Sequence, residues 1–179
     1  VAGPEGKRGY GERVIHGGIM AARKDVGSVY HGHPATIIPF ANDPEELPLL
    51  PVWNYGSIFY NGYAYYFDAE VSSAGLVLKY EEAQRVARIL GDKWAILMKG
   101  HGVTVCADNV LQTVVDTIFM IENAKVVMQC KQAGINPRLV SEEEGRAYRA
   151  STHSNNGLPR LWNYYVQRAK ENMPDIRDL

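Results

Sequence analysis

The stretch "WAILMKGHGVTVC" (94–106) constrains this chain more than any other. Its two arms, 94–98 and 103–106, are almost wholly apolar and too short for helices, so they read as buried strands. The glycine-rich "KGHG" between them reads as a turn. Straight after comes the longest helical pattern, "NVLQTVVDTIFMIENAKVVMQCKQAG", with Asp108 as its expected cap and Gly134 as its stop. Leu111, Val114, Val115, Ile118 and Ile121 are its expected core-facing stripe.

The remaining elements alternate irregularly around this unit. Residues 11–25 have helix-like spacing, and "GSVYHGH" (27–33) alternates like a strand that Pro34 ends. Residues 43–56 are loop-like, and the aromatic run 56–70 reads as a hairpin around Asn61-Gly62. "KYEEAQRVARILG" (79–91) is an amphipathic helix stopped by Gly91, and a last helix spans 158–172. Such an order predicts an α/β layered domain with a mixed or antiparallel sheet. With no G-x-G-x-x-G present, nothing argues for a dinucleotide-binding fold.

Composition narrows the function. The formal charge is −1 and no Lys/Arg block occurs, so there is no electrostatic case for nucleic acid or an anionic membrane. No apolar run approaches the roughly 20 residues of a membrane span, and no signal-peptide pattern opens the chain. Cys106 and Cys130 lack metal-like or redox-motif spacing, so free thiols in a reducing cytoplasm are expected. The start lacks an initiator methionine and enters a helical pattern almost at once. The 179 residues are therefore expected to form a single domain, 1–179, without its N-terminal part.

Histidine is scarce, five in 179 residues, yet two stand one residue apart in "SVYHGHP". Side chains alternate along a strand, so His31 and His33 project to the same side, with Gly32 leaving room between them. A third, His101, lies between glycines in the turn after a buried strand, where an imidazole is exposed at the end of a sheet. Three neutral ring nitrogens with open positions are what a catalytic divalent metal needs. The alternative for each is an ordinary histidine satisfied by its neighbours.

Glu12 and His16 precede the strand on the helical segment, in "ERVIHGGIMAARKDVGSVYHGHP". Together with "LMKGHGVTV", this string resembles the class II aldolase/adducin superfamily, from about residue 10 to the end of the long helix. The resemblance implies a three-layer α/β/α fold with a central, mainly antiparallel sheet. It implies a divalent ion (Zn2+, Mn2+ or Fe2+) on His31, His33 and His101, with Glu12 as general acid/base. His16 matches a family position, read either as a substrate-side residue or as one oriented by its helix neighbours. Tyr55, in "PVWNYGS", is the candidate for the catalytic tyrosine that aldolase members supply from a neighbouring subunit, the alternative being that it packs in the aromatic hairpin. The segment with which sugar-phosphate members bind phosphate would lie upstream of this chain.

"HGHP" followed by "MKGHG" looks most like the branch of metal-dependent decarboxylases of hydroxylated aromatic or pyridine carboxylates. The expected activity is a carbon–carbon lyase acting through a metal-stabilised enolate, with Lys99 read either as the partner of a substrate carboxylate or as a solvated lysine at a strand end. Sugar-phosphate aldol cleavage or epimerisation, non-haem iron oxygenation and an adducin-like scaffold are the alternatives. The family also implies a homotetramer with sites between subunits.

Overall fold

The computed structural model describes residues 9–67, 75–173 and 175. Among them, four strands form one sheet: β1 (Ser28–Gly32), β2 (Ala64–Tyr66), β3 (Ala95–Met98) and β4 (Gly102–Ala107), in the order β1-β4-β3-β2. β4 runs antiparallel to both β1 and β3, and β2 runs parallel to β3, so the sheet is mixed and mainly antiparallel as expected. Seven helices accompany it: α1 (Arg13–Ala22), α2 (Ile38–Asn42), α3 (Asn54–Ser57), α4 (Tyr80–Leu90), α5 (Val110–Gln132), α6 (Glu142–Thr152) and α7 (Gly157–Asn172). No helix of the described residues is long and apolar enough to cross a membrane.

Alternation along the strands makes two cores. Val103 and Val105 of β4 face α5, joining Phe40, Phe59 and Phe119. Cys106, with Ile96 and Met98 of β3, faces the opposite way toward α1 and α4, joining Ile15, Ile19 and Val86. Helices on both faces of a buried sheet give the expected three layers. Burying aliphatic side chains is the main stabilising contribution, about 1.5–3 kcal/mol for each one fully removed from water.

Several expectations shift. Residues 56–67 are not a hairpin: Gly56, Ser57, Ile58 and Phe59 are buried in succession, a pattern that an alternating strand does not give. The chain turns at Asn61-Gly62 and enters β2, which pairs in parallel with β3. That turn is tied to the α4–β3 connection, Lys93 Nζ donating to the Asn61 carbonyl at 2.6 Å and Asn61 Nδ2 to the Asp92 carbonyl at 3.2 Å. Residues 68–70 of the expected hairpin lie outside the described residues. The loop-like 43–56 ends in α3, and α2 precedes it.

The long helix is capped by Asn109 rather than Asp108, its side chain accepting from the Gln112 N–H at 3.0 Å. β4 holds the chain extended through Ala107, whose carbonyl accepts from Gly27, and this leaves Asn109 as the first residue free to cap. Of the five expected stripe residues only Val115 is fully buried. The helix is enclosed by β1, β4, α3 and α7, so polar Thr113, Asp116 and Asn123 are buried as well. α6 has no counterpart in the expected elements, although Ser141 and Glu144 form the capping box that begins it.

Candidate metal centre

β1 and β4 bring the two histidine motifs together. His31 is the cross-strand partner of Thr104, and Gly32 that of Val103. At this end of the sheet the backbones are too close for side chains. A Cβ on Gly102 would stand 2.3 Å from the Gly32 carbonyl oxygen and 2.7 Å from His33 Cδ2. Gly100, at φ +62°, forms the turn before His101, and its N–H donates to Asn42 Oδ1 at 2.7 Å. The glycines of "HGH" and "GHG" thus let the strand end and the turn converge.

The fourth group comes from α1. Glu12 occupies the N-cap position, yet its carboxylate makes no cap bond and turns toward the histidines. Its Oε1 lies 3.2 Å from His101 Nε2 and its Oε2 3.4 Å from His31 Nε2. His31 Nε2 and His33 Nε2 are 3.3 Å apart. One ligand-type atom from each of Glu12, His31, His33 and His101 falls within 4.8 Å of all the others. Ligands about 2.1 Å from a tetrahedral ion stand about 3.4 Å apart, so these spacings suit one divalent ion.

The electrostatics suit it too. Burial pushes the His31 imidazole down to about 4, against the opposing pull of Glu12. Burial also lowers His101. Both rings are therefore neutral near pH 7 and offer lone pairs. Burial works to raise Glu12, but the Tyr10 hydroxyl, the Val77 N–H and the two imidazoles outweigh it and hold the carboxylate ionised. Tyr10 Oη donates to Oε2 at 2.9 Å and Val77 N to Oε1 at 3.2 Å. Both ring nitrogens of His101 are buried without a hydrogen bond of proper geometry. A buried polar atom left unpaired costs about 1–3 kcal/mol, and an ion would satisfy Nε2. On this observation the four side chains fit a divalent metal.

The other expected site residues lie apart from this cluster. His16 is half-buried one turn along α1 and hydrogen-bonds to the Val29 backbone, holding α1 to β1. Lys99 is exposed beside the turn, its ammonium 6.0 Å from the centroid of the Phe67 ring. Tyr55 belongs to the opposite core, its ring stacked on Phe119 at 3.8 Å between centroids. His31 shares its face of β1 with Val29, on the α1/α4 side, so the sheet separates Tyr55 from the cluster within one chain. Thr104 and Tyr10 touch the cluster and escaped sequence reasoning. Tyr10, two residues before the glutamate, was within reach of the motif. Thr104 carried no signal without the strand register.

Residues 3–128 match the model of the Class II Aldolase and Adducin N-terminal domain. The chain belongs to that family. Among related proteins, a 3,4-dihydroxyphthalate decarboxylase of Rhodococcus jostii (strain RHA1) is 28% identical over 132 residues, 69% of this chain and 50% of the relative. The chain spans about half the length of the curated relatives it matches. An aldolase II superfamily protein from Pseudomonas syringae superposes with a TM-score of 0.75 at 24% identity, covering 99% of this chain and 70% of the other. L-fuculose 1-phosphate aldolase from Glaciozyma antarctica PI12 gives 0.73 at 19% identity, covering 98% and 65%. These two likenesses establish the class II aldolase-like fold.

Proposed function

We propose that this family member is a divalent-metal-dependent carbon–carbon lyase that decarboxylates a hydroxylated aromatic or heteroaromatic carboxylate. The observation that carries the reading is the convergence of Glu12, His31, His33 and His101, with the buried His101 nitrogens unsatisfied. The decarboxylase name of the Rhodococcus relative supports the choice of leaving group. Zn2+, Mn2+ or Fe2+ on the three imidazoles would supply Lewis acidity to a substrate oxygen beside the breaking bond.

The chain's own residues would do the rest. Glu12, ionised and at the cluster, accepts the proton of a substrate hydroxyl. It then returns that proton to the ring carbon from which CO2 departs, so one carboxylate serves as base and then acid. Lys99, exposed beside the His101 turn, would pair with a substrate carboxylate. His16 supports the arrangement through Val29, behind any substrate. Tyr55, across the sheet from its own cluster, could serve only a neighbour's site. That role requires the homotetramer, with clefts between subunits, that we infer for the chain in the cytoplasm.

The deciding experiment supplies Zn2+, Mn2+ or Fe2+ in turn and offers 3,4-dihydroxyphthalate and related hydroxylated carboxylates. CO2 release without O2 uptake is expected. Release of an aldehyde from a ketose phosphate would move the reading to aldol cleavage, O2 consumption to an oxygenase, and no turnover with any ion to a scaffold. Light scattering at micromolar concentration is expected to give a tetramer, and a monomer would remove Tyr55 from the mechanism.

A further inference from the structure

Thr104 is almost wholly buried, 1% exposed, directly across the sheet from His31. Its Oγ1 lies 3.0 Å from His31 Nδ1, the ring nitrogen turned away from the cluster. The same hydroxyl approaches Met98 Sδ at 3.8 Å. A threonine hydroxyl has one proton and two lone pairs, and a thioether can only accept. With its proton directed to the sulfur, Oγ1 presents a lone pair to His31. The hydrogen bond then requires the proton to be on Nδ1, which leaves the Nε2 lone pair facing Glu12, His33 and His101.

We infer that Thr104 is a positioning residue that locks metal-free His31 as its Nδ1–H tautomer and so presents Nε2 to an incoming divalent ion. This rests on the proposed metal reading for its purpose, though not for its geometry. Two features make the lock rigid. The β-branched side chain is stiff about χ1, and the cross-strand register sets Thr104 directly opposite His31. The reverse arrangement, with the hydroxyl donating to Nδ1, would place a proton on Nε2, aimed at His33 Nε2 3.3 Å away, where the ion belongs. An outer partner that fixes the tautomer of a metal-ligating histidine is worth about 10- to 100-fold in metal affinity.

The test uses two readouts that do not depend on turnover. Long-range 1H–15N correlation spectra of the metal-free protein report which His31 nitrogen is protonated, and competition with a chelating indicator gives the Zn2+ affinity. Wild type is expected to show the Nδ1–H form. Thr104→Val, nearly isosteric, should populate the Nε2–H form and bind Zn2+ about 10- to 100-fold more weakly. Thr104→Ser should keep both as in wild type, which a mere packing role would not allow, since serine loses the methyl that valine keeps and retains only the hydroxyl. An Nε2–H wild type overturns the inference, as does a folded Thr104→Val with wild-type tautomer and affinity. Should Thr104→Val fail to fold, the wild-type and Thr104→Ser spectra decide. A wild-type chain that takes up no Zn2+, Mn2+ or Fe2+ sinks the metal reading, while the tautomer spectrum separately passes or fails the lock.

Discussion

Glu12 and Asp116 are both buried carboxylates facing imidazoles, and they are held in opposite ways. Asp116, 0% exposed on α5, accepts from His153 Nε2 at 2.7 Å and from Arg149 at 3.2 Å. Arg149 also donates to the Ile58 carbonyl and lies 4.3 Å above the Trp94 ring. Partners for the buried carboxylate come from α6 and from His153, the residue that caps its C-terminal end, so the network is closed. Glu12 is bonded by a tyrosine hydroxyl and one backbone N–H, while two imidazoles stand at 3.2 and 3.4 Å without making proper hydrogen bonds. It stands where a helix start, a strand end and a turn meet, and His101 is left with unpaired nitrogens. The contrast separates a buried charge whose partners tie helices together from one that faces imidazole nitrogens with no bond of proper geometry, where a ligand has room to enter the network.

The largest expected effect follows from removing an imidazole at the open cluster. His101→Ala should lose metal and activity together while the metal-free chain stays folded, read by metal content and circular dichroism. If the substitution unfolded the chain instead, the open cluster would be structural and the contrast with Asp116 would collapse. Glu12→Gln is next. It keeps shape and hydrogen-bonding reach but exchanges no proton, so turnover should fall by about 10² to 10⁴ with metal retained. Near wild-type turnover in the metal-loaded variant would assign the proton to another group.

Asp116→Ala sharpens the other side. It strands Arg149 and His153 in the core, and about 3–5 kcal/mol of stability should be lost in urea unfolding. Zn2+ affinity of the folded fraction should not change. A variant as stable as wild type but unable to bind metal would reverse the assignment of the two clusters.

The smallest effect is a pH dependence. His31 has a folded-state value of about 4, below its ordinary 6.5, so between these values the folded chain binds fewer protons than the unfolded one. Its contribution to stability is complete above pH 6.5 and is lost as pH falls toward 4. His101, lowered in the same direction, adds to that slope, and the lowered Glu12 adds a further loss at more acidic pH. Denaturation of the metal-free protein across this range should therefore steepen with acid, and His31→Gln should flatten the slope. An unchanged slope in that variant would mean that His31 is not held neutral by burial.

Much of the site was legible because its signals are local. H-x-H on a strand has a fixed period, and a glycine-bracketed histidine after an apolar strand has few other uses. The hairpin expectation failed because aromatic content near Asn-Gly is shared by strands and by buried helical turns. The burial of Gly56 to Phe59 in succession and the parallel pairing of β2 with β3 separate them, and both depend on distant segments. The stripe on α5 held in part: Val115 lies in the core, and Leu111 and Ile121 pack against it half-buried. A helix enclosed on several sides buries polar residues whose partners are supplied by distant segments, as Asn123 donates to the Leu50 carbonyl.

Local pattern alone was enough for the elements that carry the site (the helix and strand of 11–33, the strand pair of 94–106 and the long helix after it), the face shared by His31 and His33, and the glycines that admit His101, because backbone periodicity and steric room are properties of neighbouring residues. Tertiary structure decided that β2 joins the sheet in parallel, that Thr104 stands behind His31, that Tyr55 falls on the far side of the sheet, and that Asp116 is paired with α6. Each of these depends on register or packing between segments far apart in the chain, and no local pattern encodes which distant neighbour a side chain will meet.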